Sequence, residues 1–318
     1  MSQGPLFRNG YTPHFTGHQT FPLRYGWLKK AFDRVAENEN HPDSRTACWG
    51  EEAIARFGVG KNMVASMRHW AKAAGVVIEP TGGSVQTTEL GKFLFGPTGF
   101  DPYMEHPSTL WLIHWQIAAN EERTTWFWAF SHYPAITFDR DMLTTRLERL
   151  ATDCNWSRVA ITTIKNDAAC FIRTYVSRQP SGSMDFDDTL ESPLTELGLI
   201  KALDINDRFR FVRGPKATLG DGVFTYALMD FWSRNTDAAT LSFETIAHAP
   251  GGPGRVFKLD EDDVVDRLTS IDDVTEGALQ WSETAGLKQV NRNVELNDAP
   301  ALSWIQSDYE LFAEKEVT

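Results

Sequence analysis

The residues best suited to chemistry stand early in the chain, in the stretch TGHQTFPLR, where His18 and Arg24 lie among aromatic residues. A histidine changes its charge near physiological pH, and an arginine pairs readily with carboxylates or phosphates. Arg24 stands near the start of a predicted helix, where a cation opposes the helix dipole, and this indicates a nearby carboxylate or phosphate. His18 and Arg24 are therefore a candidate polar site, although an internal hydrogen-bonded clip is the favoured interpretation.

The segment that must position this pair is predicted to be an amphipathic helix, because apolar residues recur at helical spacing over positions 28–35. Thr20 or Gln19 is expected to cap this helix, since both side chains can accept a hydrogen bond from a backbone N–H. Pro22 fits its first turn, where a missing N–H costs little. The helix is expected to be the first of the block that follows.

Residues 49–95 form the block most typical of nucleic-acid recognition. A short helix is predicted over 50–57, followed by a glycine connector at 58–60, because glycine permits the positive φ that re-aims the chain. A second helix is predicted over 61–74, and Gly75 ends it. Two β-rich runs then flank Gly82 and Gly83. This order of helix, turn, helix and hairpin predicts a winged helix-turn-helix.

The second helix of this block is the predicted recognition helix. Its apolar stripe is expected to be buried and consists of Val64, Met67, Ala71 and Ala74. In winged modules the second helix enters the major groove of DNA and the hairpin lies along the backbone. Arg68 is the best candidate for reading bases, because a guanidinium pairs with guanine in a bidentate way. The residues predicted to face duplex DNA are Lys61, Asn62, Arg68, His69 and Lys72.

Charge is unevenly distributed along the 318 residues, whose net charge is −12. Residues 1–100 carry 11 lysines and arginines against 8 acidic residues, whereas the remainder carries 20 against 35. A mildly basic first part suits contact with phosphates, and an acidic second part suits recruitment of another protein. A winged module also serves as a protein–protein module in some proteins, so both partners stay open at this point.

Composition divides the chain into three predicted domains. Residues 1–100 form the winged helix-turn-helix domain, 101–180 an aromatic-rich helical domain, and 181–318 an acidic α+β region resembling a winged helix. The last region is predicted to contain a hairpin turning on Asn206 and Asp207, an acidic helix over 260–271 and a strand over 278–290. The predicted fold class is therefore mainly α, with some β structure (α+β).

Several other classes of function find no support in the sequence. GVGKN lacks the glycine and the hydroxyl residue of a P-loop, and no histidine stands at metal-motif spacing to a carboxylate, so neither a metal nor a cofactor is expected. The tryptophan-rich segments TLWLIHWQI and TTWFWAF lack interleaved lysine or arginine, and core packing is expected rather than base stacking. Three cysteines without a CxxC pair, no signal peptide and no membrane-spanning run predict a cytoplasmic protein with reduced thiols.

Four long motifs identify a family resemblance: FTGHQTFPLRYGWLKKAFD, FGVGKNMVASMRHWAKAAGV, DPYMEHPSTLWLIHWQIA and TTWFWAF. Together they resemble a family of bacterial proteins known as a domain of unknown function (DUF 4007). The resemblance implies an association with DNA phosphorothioation and related sulfur-based DNA modification and phage-defence genes, often beside a sulfurtransferase. It implies no catalytic residues.

Three hypotheses of function follow. The first is a non-enzymatic DNA-binding or adaptor component of a bacterial DNA modification and phage-defence system, with double-stranded DNA and a sulfurtransferase as partners. The second is a protein-interaction subunit that docks on the sulfur-transfer enzyme without contacting DNA. The third is an enzyme whose site contains His18 and Arg24. No catalytic residue is assigned, no membrane partner is expected, and an oligomer is compatible with all three.

Overall fold

The computed structural model describes residues 4–156, 159–177, 191–203, 207–284, 286–295 and 301–316. Buried apolar side chains from every part of this range pack into one hydrophobic cluster, rich in tryptophan and phenylalanine. The architecture is helical with three small antiparallel sheets, so the predicted mixed α+β class is confirmed. Within the described residues, no helix is both long and apolar enough to cross a bilayer.

The N-terminal part consists of five helices and a short hairpin: α1 (Trp27–Asn38), α2 (Ser44–Trp49), α3 (Glu51–Phe57), α4 (Lys61–Ala73), β1 (Val77–Ile78), β2 (Gln86–Thr87) and α5 (Glu89–Phe95). The predicted order of helix, turn, helix and hairpin is present. Gly58 and Gly75 have φ of +67° and +66° after α3 and α4, and this left-handed conformation strains residues with a side chain. These two glycines end the helices where the sequence predicts.

The start of α1 differs from the prediction. The helix begins at Trp27 after Gly26, whose φ is +73°, so Gln19 and Thr20 do not cap it and Pro22 lies outside its first turn. Gln19 and Thr20 instead have φ of +48° and +65° in the preceding loop. The loop bends because its groups bind elsewhere in the fold: the carbonyl of Thr20 accepts a hydrogen bond from the Arg173 side chain.

The middle part contains α6 (Pro107–Ala118), α7 (Thr124–Ser131), β3 (Thr137–Asp139), α8 (Arg140–Asp153), α9 (Ile161–Tyr175), β4 (Ile200–Leu203) and β5 (Arg208–Phe211). Trp111 and Trp115 of α6 are completely buried, which confirms core packing over base stacking. The β4–β5 hairpin is confirmed by its antiparallel pairing, although residues 204–206 lie outside the described residues. Strand β3 pairs with β5, so this sheet joins segments on both sides of the predicted boundary at residue 180.

The C-terminal part contains α10 (Asp221–Asn235), β6 (Thr240–Ser242), α11 (Phe243–His248), α12 (Pro253–Val256), α13 (Glu261–Thr269), α14 (Ile271–Val274), β7 (Leu279–Thr284), β8 (Leu287–Arg292) and α15 (Ala301–Glu316). The acidic helix is confirmed as α13. The single strand predicted over 278–290 is wrong, because β7 and β8 form a hairpin. Gly286 next to β8 has a φ of +80°, and glycine adopts this conformation at a tight turn without strain.

The middle and C-terminal sheets share one topology. In each, a strand is followed by helices and then by a hairpin, and the last strand lies between the other two, in the orders β3-β5-β4 and β6-β8-β7. The N-terminal part has the same succession of helices and hairpin, with the two-stranded sheet β1-β2. The chain therefore repeats one arrangement of helices and hairpin three times, although its sequence shows no short-period repeat.

Candidate functional site

The outer face of α4 is the first candidate site. Val64, Met67, Ala71 and Ala74 are all buried, as the helical spacing predicts. Lys61 and Asn62, at the start of the helix, are exposed, and so is Lys72 near its end. A helix with one buried stripe must present its remaining side chains to solvent or to a neighbouring element. Whether each residue predicted to face DNA is exposed therefore depends on the elements that pack beside α4.

Arg68 is bound to the protein itself. Its Nε and Nη2 atoms donate to the two carboxylate oxygens of Glu79, at 2.8 and 2.6 Å. The Lys72 ammonium lies 3.5 Å from the same carboxylate, whose side chain is only 2% exposed. A fork of two parallel N–H donors is also what a guanine would require. In this conformation Glu79 occupies these donors, and base reading by Arg68 stays a prediction.

The Glu79 carboxylate stays ionised in this arrangement. Burial acts to raise the pKa of Glu79, but the hydrogen bond and charge of Arg68 and the charge of Lys72 outweigh it and hold that pKa below its ordinary value. The hydrogen bond to Glu79 in turn raises the pKa of Arg68. Glu79 directly follows β1, so the ion pair joins α4 to the hairpin.

His69 lies away from the outer face of α4. Its ring centroid is 5.8 Å from that of His18 and 5.2 Å from that of Trp70. A Cβ atom on Gly17 would lie 2.3 Å from His69 Nδ1, so only glycine fits beside this ring. Burial, followed by the charge of Arg123, lowers the pKa of His69 well below its ordinary value. The ring packs against the loop that carries His18, and contact of His69 with DNA stays a prediction.

His18 is the centre of the second candidate site. Its side chain is almost completely buried, and Nε2 lies 2.8 Å from Asp167 Oδ1 on α9. The backbone N–H of Thr20 donates to Nδ1 at 2.9 Å, so Nδ1 acts as an acceptor. The proton of the neutral imidazole is therefore on Nε2, where it is donated to Asp167. Both ring nitrogens are engaged, which is the geometry of an internal clip.

Asp167 and Arg123 complete what we call the His18 cluster: His18, His69, Arg123 and Asp167. Arg123 precedes α7, and burial lowers its pKa, while the charges of Glu122 and Asp167 act in the opposite direction. Asp167 Oδ2 is buried and has no hydrogen-bond partner among the described residues. Sequence reasoning missed Asp167, although a carboxylate three residues after Ile164, on the buried stripe of a predicted helix, is a usable signal.

Arg24 is buried in a different setting. Its guanidinium carbon lies 5.5 Å from the ring centroid of Phe21 and 5.5 Å from that of Trp27. A guanidinium over two aromatic faces gains cation–π attraction, which is stronger away from water. Arg24 therefore packs over two aromatic rings at the start of α1.

Comparison with known proteins gives a consistent family and fold. The family model described as "Protein of unknown function (DUF4007)" matches residues 15–309. A structure titled "SspB crystal structure" is 28% identical with a TM-score of 0.81, covering 94% of this chain and 89% of that chain. A second, titled "Magnesium ion-bound SspB crystal structure", is 26% identical with a TM-score of 0.80 and the same coverage. No functionally curated protein matches the chain in sequence.

One of the two similar structures is titled as magnesium-bound, so the metal ligands that this chain could offer are of interest. In the part of the chain that the structure describes, no group of three or more histidine, cysteine, aspartate or glutamate side chains is placed to hold a metal ion together. The His18 cluster contains a single carboxylate, and that carboxylate is bound to an imidazole.

Proposed function

This chain belongs to the DUF4007 family, and from that premise we propose that it is a non-enzymatic component of a bacterial DNA modification system of the phosphorothioation type, acting in phage defence in the cytoplasm. The observation that carries the proposal is the likeness to SspB over 94% of the chain. The gene association implied by the family motifs supports it further. The proposal assigns no catalytic residue, metal or cofactor.

Within that system, we propose that the N-terminal part contacts double-stranded DNA as a winged helix-turn-helix. The order of α3, α4 and the β1–β2 hairpin supports this, because the second helix of such a module enters the major groove. Lys61 and Asn62 are exposed at the start of α4, the end that reaches base edges in helix-turn-helix proteins. With Arg68 bound to Glu79, contact to phosphates by Lys61 and Lys72 dominates, and weak, salt-sensitive binding follows.

A gel-shift titration at increasing salt tests this proposal. Lys61→Ala with Asn62→Ala should weaken binding and lower the slope of log affinity against log salt by about one, since one phosphate contact is lost. Lys288→Ala, which removes an exposed, ion-paired lysine from β8, is the matched control. DNA binding that does not depend on salt would argue against α4 as the DNA-contacting element. An equal loss of affinity in the double variant and in Lys288→Ala would argue against it too.

The alternative is an adaptor that docks on a sulfur-transfer enzyme without contacting DNA. Two observations favour it. Glu79 offsets part of the positive charge on α4, and α13 with α14 carries a group of exposed carboxylates, namely Glu261, Asp262, Asp266, Asp272 and Asp273. Asp262→Lys with Asp266→Lys should abolish co-purification with a neighbouring sulfurtransferase, whereas Glu148→Lys, at a partly exposed position on α8, should retain it. If the double variant at Asp262 and Asp266 still co-purifies with the sulfurtransferase, α13 and α14 are not the docking face.

A further inference from the structure

A cavity of about 530 Å³ lies where the segment after β5 meets α11, α12 and the start of α13. Its lining includes four basic residues: Arg213, His248, Arg255 and Lys258. The sequence stretch APGGPGR contributes Gly254 and Arg255 to its lining, and a Cβ on Gly254 would lie 2.5 Å from the carbonyl oxygen of Ala247. Glycine there allows α12 to pack closely on α11, and this packing presents Arg255 to the cavity. We call this cavity the Lys258 pocket.

Lys258 is fixed by its burial, by its backbone conformation and by the contacts of its ammonium group. It is almost completely buried, and its backbone is left-handed, with a φ of +57°, a conformation that is strained for a residue with a side chain. Its Nζ donates to the carbonyl oxygens of Phe130 and Ala129, at 2.7 and 3.3 Å. The same Nζ lies 4.4 Å from the ring centroid of Phe211. Strain of this kind persists where the surrounding structure fixes a residue, and such positions cluster at binding sites.

The neighbouring cations oppose one another. Burial and the charges of Arg213 and Arg255 lower the pKa of Lys258, and burial and Arg213 lower the pKa of Arg255. The effect reaches His132, whose pKa falls to about 4 through burial and through the charges of Arg255 and Lys258. In the described ranges of the chain, none of the three cations forms an ion pair. Within the part of the chain that the structure describes, no ion pair with a carboxylate offsets this repulsion.

Two of the three carboxylates that line the same cavity have other partners. Asp260 accepts a hydrogen bond from the backbone N–H of Asp263 at 2.9 Å and caps α13. Glu261 lies 3.1 Å from His248 Nε2. Asp262 also lines the cavity and is exposed. Asp260 and Glu261 are therefore engaged by the start of α13 and by His248, and among the described residues no carboxylate forms an ion pair with Arg213, Arg255 or Lys258.

We propose that the Lys258 pocket binds a phosphate group, with Arg213 and Arg255 as direct ligands and Lys258 as the buried positive charge behind them. An anion placed there relieves the repulsion among the three cations, and a guanidinium matches the geometry of phosphate oxygens. The site is separate from α4 and does not rest on the proposed DNA contact. The phosphate group is supplied by a nucleic-acid backbone or by a small phosphorylated ligand, which the experiment distinguishes.

Binding of inorganic phosphate to the full-length protein tests the proposal. Phosphate should raise the Tm of the parent relative to chloride at the same ionic strength, because a ligand that binds only the folded state stabilises it. Arg213→Ala and Arg255→Gln should each weaken phosphate binding by about tenfold, through loss of a charge-assisted hydrogen bond. Arg210→Ala, which removes an exposed arginine from β5 close to the pocket in sequence, should retain the parent's phosphate response.

Two results would overturn the proposal: a parent Tm that does not respond to phosphate, or arginine variants that bind phosphate like the parent. Competition by a short duplex identifies a nucleic-acid backbone as the source, and phosphate binding unaffected by the duplex identifies a small phosphorylated ligand. The double variant Lys61→Ala with Asn62→Ala should bind phosphate like the parent. Failure of the DNA contact at α4 is therefore distinguishable from failure of the Lys258 pocket.

Discussion

At the scale of single residues, the hydrogen bonds of His18 distinguish a catalytic role from a structural one. A catalytic base needs a ring nitrogen that can reach a substrate. In this fold Nδ1 accepts from the Thr20 N–H and Nε2 donates to Asp167, so neither nitrogen is available. The contact instead joins the N-terminal loop to α9, 149 residues away in sequence. The hypothesis of an enzyme with a site at His18 and Arg24 thus has little support from this geometry.

Removal of Asp167 should lower stability. Asp167→Ala leaves the buried Nε2–H of His18 without an acceptor, and we expect a loss of about 2–3 kcal/mol in the free energy of unfolding, since the lost hydrogen bond involves a charged group. Urea denaturation followed by circular dichroism measures this. Asp153→Ala, in an exposed pair with Arg149, should cost less than about 1 kcal/mol. Equal losses in the two variants would contradict a clip.

At the scale of elements, α4 and the β1–β2 hairpin are coupled through one carboxylate. Glu79 follows β1 and receives both Arg68 and, more distantly, Lys72. This ion pair positions the hairpin beside the helix, as a wing must be positioned, and it also removes positive charge from the helix face. In the proposed DNA contact, the stability of the hairpin's position and the affinity for DNA therefore act against each other at Glu79.

Glu79→Gln should separate these two effects. Loss of one negative charge leaves Arg68 and Lys72 with unbalanced positive charge, so DNA affinity in a low-salt gel shift should rise several-fold. The free energy of unfolding should fall by about 1–2 kcal/mol, because Arg68 is partly exposed and solvent screens its charge. Glu89→Gln, which removes an exposed partner of Lys92, is the control. Unchanged DNA affinity in Glu79→Gln would count against α4 as the DNA-facing helix.

At the scale of the whole molecule, helix α15 packs against the start of α10. Asp308 of α15 accepts hydrogen bonds from the backbone N–H groups of Gly222 and Val223 at the start of α10, at 3.0 and 2.8 Å. A Cβ on Gly222 would lie 2.1 Å from the carbonyl oxygen of Trp304, so the two helices meet backbone to backbone. The capping carboxylate is supplied from 86 residues away.

This contact should make stability depend on pH. Burial is the main cause that raises the pKa of Asp308 to about 6, against the lowering effect of the two backbone hydrogen bonds. Between the ordinary value of 3.8 and about 6, the folded state binds more protons than the unfolded state, so this group's contribution to stability falls as pH rises. The expected loss across that window is up to about 3 kcal/mol.

Asp308→Asn should remove this slope, because the asparagine does not titrate yet keeps an acceptor oxygen. Urea denaturation of parent and variant from pH 4 to pH 7 measures the difference between their stabilities, in which the contributions of other carboxylates cancel. Glu310→Gln, at an exposed position two residues later, should keep the slope of the parent. A difference that does not change with pH would show that Asp308 titrates normally.

The sequence by itself determined the local order of the N-terminal elements. Apolar spacing placed α4 and its buried stripe, glycines placed the helix ends, and the family motifs identified DUF4007. These features depend on residues close in sequence, and short-range periodicity carries that information.

Only the tertiary structure decided which polar groups are free to act. Asp167 meets His18 from 149 residues away, and Lys258 donates to carbonyl groups 128 and 129 residues before it. Even Glu79, only 11 residues from Arg68, takes its role from the return of β1 alongside α4. The sequence shows which side chains carry a charge, but the partner and the burial of each depend on how distant segments pack. Partner and burial together determine whether a charged side chain binds a ligand or the protein itself.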